Sequence, residues 1–232
     1  SGANNCRDGF PTKCLEEVKY IMFERKISMN ISNNWQDFEC LATGNGEKLE
    51  RWGNIILNRP DPSIIWDKTN NPIWSTWDGY YKRSNLGGGE WTFRKKLPEY
   101  WTVKYKELTF KVSPTNFKHT GIFPEQATNW DYIIDKIKNS NNQEKRILNL
   151  FAYTGCATMA SSHAGATEVV HVDSSKGMID WAKENMRLCH LENNTIRFIQ
   201  DDVLKFLDRE IRRGHTYHGI IMDPPSYGRG PN

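Results

Sequence analysis

Past about residue 145, short apolar runs alternate with longer stretches of helical spacing. The runs fall within Arg146–Leu150, Val169–Asp173, Ile196–Ile199 and Ile220–Met222. Short, mainly apolar runs of this kind are the pattern of strands in a buried parallel sheet. Between them, Ala157–Ala164 reads as a small-residue helix stopped by Gly165. Lys176–Leu191 reads as a helix with Met178, Ile179, Ala182, Met186 and Cys189 turned inward, and Ser174 is placed to cap it. Val203–Arg213 reads as another, closed by Gly214, and Thr128–Asn139 precedes the first run with Trp130, Ile133, Ile134 and Ile137 on one face. Strands alternating with helices predict an α/β fold.

The upstream half has a different rhythm. Trp52–Leu57, Trp91–Phe93, Trp101–Tyr105 and Leu108–Val112 are short runs separated by Pro or Gly turns, which predicts a small β-rich domain over residues 35–113. Ahead of it, Leu15, Val18, Ile21 and Phe23 approximate one helical face, and Met29 reads as a natural start. Residues 1–34 are therefore expected to be an N-terminal extension or leader. Residues 114–232 form the third expected unit.

Chemistry gathers where the downstream runs end. The first enters Phe151–Ala152–Tyr153–Thr154–Gly155, the second ends in Asp173, the third is followed by Asp201–Asp202–Val203, and the fourth by Asp223–Pro224–Pro225–Ser226–Tyr227. Carboxyl ends of strands are where open α/β sheets bind ligands. An acid about 20 residues past a glycine turn holds ribose hydroxyls in nucleotide-binding α/β folds. A carboxylate in Gln200–Asp201–Asp202–Val203, with the backbone N–H that follows it, suits an adenine edge. Gly155 is the single glycine in its turn, so the three-glycine dinucleotide fingerprint is missing, and no P-loop lysine follows. A nucleoside without a phosphate, such as S-adenosylmethionine, fits that turn better than NAD or FAD.

These motifs resemble the class I S-adenosylmethionine-dependent methyltransferases. Within that class they are most similar to the ribosomal RNA large-subunit group of cytosine-C5 type, marked by a Phe-Ala-Tyr-Thr-Gly turn and an Asp-Pro-Pro-x-aromatic loop. The resemblance implies a Rossmann-like sheet, here ending after its fourth strand, behind an N-terminal β-rich domain. It implies that Lys118–Gln126 folds over the cofactor through Phe123 and Gln126, with Phe151, Tyr153 and Gly155 near its methionine part. Asp173 and Ser174 would hold the ribose, and Asp202 with Val203 the adenine. Asp223 would border both cofactor and target base, with Pro224 and Tyr227 beside the base. In that fold three more strands follow, whereas this sequence ends nine residues past Asp223, so it reads as a fragment.

Composition narrows the alternatives. The 232 residues carry a formal charge of +3, compatible with an RNA partner but not diagnostic of one. Nine Trp supply bulky core, and some could stack on unpaired bases, burial being their commoner use. Five cysteines (Cys6, Cys14, Cys40, Cys156, Cys189) lack C-x-x-C pairing, so metal and disulfide frameworks are disfavoured and a reducing, cytoplasmic setting is expected. No apolar run approaches membrane-helix length. A cysteine nucleophile for pyrimidine C5 chemistry is not evident beside Asp223, which leaves the target atom open. Three functions remain: transfer of a methyl group to an rRNA base, the same transfer to a protein or small molecule, or RNA binding without catalysis. Arg229 is a candidate phosphate contact.

Overall fold

Glu47–Trp52 reads Glu-Lys-Leu-Glu-Arg-Trp, a charged sequence that no hydrophobic pattern marks as buried, yet it is an inner strand. The computed structural model describes residues 31–84, 88–115 and 118–225. The expected leader helix, Met29, Tyr227 and Arg229 lie outside the described residues. Strands β1 (Phe38–Gly44), β2 (Glu47–Trp52), β3 (Ile55–Pro60), β4 (Gly79–Arg83) and β5 (Gly89–Phe93) form a five-stranded sheet in that order. Pairing is antiparallel except between β3 and β4. Leu49 and Trp52 are buried, and an ion pair lets Glu50 be buried between them in sequence. Arg59 of β3 donates from Nε and Nη2 to both carboxylate oxygens of Glu50, at 2.6 and 3.0 Å, with both side chains almost fully enclosed. Its guanidinium also lies over the Trp52 ring, 5.1 Å from the centroid. The run Trp52–Leu57, read as one strand, is instead a hairpin. Gly53 adopts φ +62 and donates its N–H to the Asp37 carbonyl, so the chain reverses there.

The hairpin of β6 (Trp101–Tyr105) and β7 (Leu108–Val112) stands apart from that sheet. Its apolar residues Val103, Tyr105, Leu108, Phe110 and Val112 are buried in one cluster with Trp52 and Leu57 on one side. On the other side the cluster continues through Ile122, Trp130, Met159 and Leu191 into the α/β part. The hairpin is thus a wedge with apolar contacts in both directions.

The α/β part follows the expected alternation closely. It comprises α1 (Ala127–Lys138), β8 (Arg146–Leu150), α2 (Cys156–His163), β9 (Glu168–Asp173), α3 (Lys176–Leu188), β10 (Ile196–Gln200), α4 (Val203–Arg212) and β11 (Gly219–Met222). The four strands are parallel in the order β10-β9-β8-β11. Alternate side chains take opposite faces. Leu148, Leu150, Val170 and Val172 pack on Val203 and Phe206 of α4, while Ile147 and Val169 pack with Ile137 of α1 and Ala164. Ser175, not Ser174, caps α3, accepting the Met178 N–H, because Asp173 uses its own carboxylate to hold the Ser175 N–H and so sets the cap one residue later. The strand carrying Asp223 is short, and it leaves Ile220 and Met222 exposed. Among the described residues no helix is long and apolar enough to cross a membrane, and none cluster as metal ligands.

Removing one member of an enclosed ion pair strands the other without water. Glu50→Ala is therefore expected to cost about 3–5 kcal/mol of stability. The check is the urea-unfolding midpoint, and an unshifted midpoint would show the pair to be energetically neutral.

Candidate functional site

Strand order reverses direction between β8 and β11, and a cleft opens at that switch point, where the rule for open α/β sheets places ligands. It encloses about 510 Å³ including its open mouth, and both Tyr153–Gly155 of the β8 turn and Asp223 after β11 line it. Its roof is the stretch from Gly121 to Gln126. Of the residues expected at a site, Phe123, Gln126, Phe151, Tyr153, Gly155 and Asp223 all face this one space.

The turn is held in an uncommon backbone form. Phe151, Tyr153 and Gly155 all lie in the left-handed region, at φ +53, +54 and +81. Bulky side chains pay a conformational cost there, and such conformations persist only where surroundings fix them. Asp173 supplies one fixing contact. Its Oδ2 accepts the Tyr153 N–H at 2.9 Å and its Oδ1 accepts the Ser175 N–H at 2.8 Å. Each oxygen keeps a further lone pair for a ligand hydroxyl. Asp173 is half-buried at the rim, and Ser174 beside it is exposed.

Thr154 supplies the other. Fully enclosed, it donates from Oγ1 to the Gly121 carbonyl at 2.6 Å, while its own carbonyl accepts from Asn185 Nδ2 at 2.8 Å. Asn185 Oδ1 in turn accepts the Lys111 N–H of β7 at 2.8 Å. The roof is pinned at a further carbonyl, Pro124 by Trp35 Nε1, and the chain ahead of the roof is held at the Lys118 carbonyl by Arg59 Nη1, both at 3.0 Å. Gly121 is obligatory in this arrangement. Its φ is +96, and a Cβ there would sit 2.2 Å from the Trp181 ring.

Beneath the turn lies a polar chain that the apolar pattern concealed. Asn149 Nδ2 donates to Thr158 Oγ1, which meets His171 Nδ1, both at 2.9 Å. His171 is wholly buried, and a Cβ on Gly155 would come within 3.2 Å of its ring. Burial, opposed by the Tyr153 backbone, pushes its imidazole down to about 3, so it is neutral at neutral pH.

The two acids after β10 are placed differently. Asp202 caps α4, its Oδ1 accepting the Lys205 N–H at 3.0 Å, and its second oxygen remains for a ligand amine. The Val203 side chain is buried against α4's core, so only its backbone N–H is offered to a ligand. Asp201 is occupied by Arg209, and its N–H bonds the Asp173 carbonyl, which ties the ends of β9 and β10 together. Asp202, Val203, Asp173 and Ser174 do not line the cleft itself; Pro224 is exposed next to Asp223. Burial raises the Cys156 thiol to about 12 and the Cys189 thiol to about 11, so neither is a ready thiolate. Sequence reasoning missed Gly121, Asn149, Thr154, Thr158, His171, Trp181 and Asn185. One signal was available: Asn149 is a polar residue inside a buried strand run, which demands a partner.

A family model for S-adenosylmethionine-dependent methyltransferases matches residues 69–232. The chain belongs to that family. The Ribosomal RNA large subunit methyltransferase K/L of Syntrophotalea carbinolica is 33% identical over 146 residues, 63% of this chain and 19% of that protein. The Ribosomal RNA large subunit methyltransferase I of Cronobacter sakazakii is 38% identical over 85 residues, 37% of this chain and 22% of that protein. This chain spans about a fifth of the length of these curated relatives. Among solved structures, the SAM-dependent methyltransferase from Agrobacterium tumefaciens is 40% identical with TM-score 0.79, covering 84% of this chain and 62% of that one. A Streptococcus mutans structure at 20% identity and TM-score 0.67, covering 92% and 58%, shares the fold.

The neutral His171 gives the site a pH signature. An unfolded chain binds a proton at about 6.5 that the folded one refuses until about 3. Stability should then fall by about 1.4 kcal/mol per pH unit as pH drops through that window. Urea midpoints across it should decline less steeply in His171→Asn, and equal slopes would overturn the assignment.

Proposed function

We propose that this chain carries the donor site of an enzyme that moves a methyl group from S-adenosylmethionine to a base of ribosomal RNA. The observation carrying this reading is that one cleft is bordered by both the left-handed turn after β8 and the carboxylate after β11. Donor and acceptor would share a space, which is what an in-line displacement needs.

The residues fit the cofactor. The free lone pairs of Asp173 suit the ribose hydroxyls, and Tyr153 and Gly155 border room for the methionine part. Asp202 Oδ2 and the Val203 N–H suit the adenine edge. Phe123 and Gln126 close the roof, with the Phe123 and Tyr153 rings 5.5 Å apart. When bound, the cofactor supplies an activated methyl on a sulfonium. The protein's contribution is to hold the acceptor in line. Asp223 and the Pro224 carbonyl would accept hydrogen bonds from the target base and orient it toward the donor.

Support for the RNA substrate comes from the rRNA methyltransferases to which the chain is similar, and an rRNA substrate agrees with a cytoplasmic setting. Carbon-5 chemistry would need a nucleophile; burial raises the thiols of Cys156 and Cys189, so neither is assigned that role, and the reading extends to the base and not to which of its atoms takes the methyl group. The same acceptors would also suit a side-chain amide, which keeps a protein substrate as the second reading.

Asp173→Ala is expected to abolish cofactor binding measured by calorimetry, and retained affinity would remove the ribose assignment. With methyl-labelled cofactor and ribosomal subunits, label should appear in RNA nucleosides after digestion. Label confined to protein would favour the second reading, and label in neither would refute the transfer.

A further inference from the structure

On the far side of Phe123 from the cofactor turn a second recess opens. It encloses about 540 Å³ and is lined by Pro60, Tyr81, Arg83, Gly88, Lys118 and His119. Its field is positive. Lys48 and Arg59 stand close enough to Lys118 and His119 to depress both, along with burial as the larger cause. Two acids, Glu50 and Asp61, oppose these cations. Glu50 is consumed by Arg59, and Asp61 faces Lys48 at 3.5 Å and accepts from Ser63. Arg83 has no carboxylate partner among the described residues, and Lys118 Nζ reaches one main-chain carbonyl, that of Pro60, at 3.4 Å. Arg83 is thus left without a carboxylate among the described residues, and Lys118 shares Asp61 with Lys48, so cations outnumber acids at the wall, an arrangement suited to an anion.

The recess is joined to the cofactor cleft by a row of rings. His119, which lines the recess, lies 5.4 Å from Phe123, and Phe123 lies 5.5 Å from Tyr153, which lines the cleft. Phe123 is 38% exposed, an open aromatic face between two cavities. Cation, ring, cleft is the order in which a polynucleotide presents phosphate, base and neighbouring base.

We propose that this recess grips a backbone phosphate of the RNA whose target base enters the cofactor cleft, with Arg83 and Lys118 as its ligands. The inference rests on the RNA-substrate reading above and adds where the strand is held. Arg83 donates its planar fork and Lys118 a point charge to the same phosphate. A phosphate contact is expected to carry affinity and salt dependence without sequence preference.

The test is fluorescence anisotropy of a labelled single-stranded RNA oligonucleotide over a potassium chloride series. Arg83→Gln and Lys118→Gln are compared with unaltered protein and with Lys138→Gln, an exposed lysine on α1, and cofactor affinity of each is measured by calorimetry. Each recess variant should weaken RNA binding about tenfold at low salt and flatten the logarithmic salt slope by about 0.7. Arg83→Lys should restore the slope, and cofactor affinity should not move. RNA binding by unaltered protein that the recess variants leave intact, or that Lys138→Gln weakens equally, would overturn the recess while sparing the RNA reading. Absence of RNA binding by unaltered protein would overturn both. Loss of cofactor affinity in Arg83→Gln would assign the recess to the cofactor instead.

Discussion

The site depends on one chain of hydrogen bonds through a buried threonine. Thr154 sits in the turn that leaves the central strand, and its two polar atoms reach the roof at Gly121 and helix α3 at Asn185. Asn185 passes the connection to Lys111 in the wedge hairpin. Trp181, one turn earlier on α3, donates to the Lys111 carbonyl and fills the space that Gly121 leaves empty. Four elements far apart in sequence are thus fixed to each other by backbone groups that would otherwise be buried without partners. An unmade bond of that kind costs about 1–3 kcal/mol, so these contacts act as registration points more than as sources of net stability.

That registration explains the use of the wedge. A parallel sheet alone would present its turn and its acids at one rim, but nothing would cover them. The hairpin offers apolar residues to both the five-stranded sheet and the helices, so the roof between hairpin and α1 cannot shift without opening a core. From the β-rich side Trp35 holds the Pro124 carbonyl of the roof, and Arg59 holds the Lys118 carbonyl just ahead of it. The charged pair buried in β2 and β3 is therefore part of the same construction as the cofactor cleft, though it touches none of it directly.

The α/β half was legible because its physics is periodic. Short apolar runs, small-residue helices and stop glycines such as Gly165 each carry a local cause, and their order together with the family resemblance pointed to Phe151, Tyr153, Gly155 and Asp223, which line one cleft. The β-rich half was opaque for a complementary reason. Strand β2 looks like solvated surface because the burial of Glu50 is achieved by its pairing with Arg59, and that pairing spans a hairpin no pattern within β2 announces. Strands β1 and β4 were missed likewise. Thr154, Asn185 and Gly121 have no periodic signature either, since their roles exist only after the chain has folded. The misplaced cap at Ser174 is a smaller case: the preceding aspartate takes the Ser175 N–H, a competition decided by side-chain geometry.

Two aromatic residues held in the left-handed region carry a meaning for binding. A turn that has already met its conformational cost does not need to be ordered by whatever enters the cleft. A ligand entering the cleft meets a turn already formed, so the cost of ordering that turn is not subtracted from its binding energy.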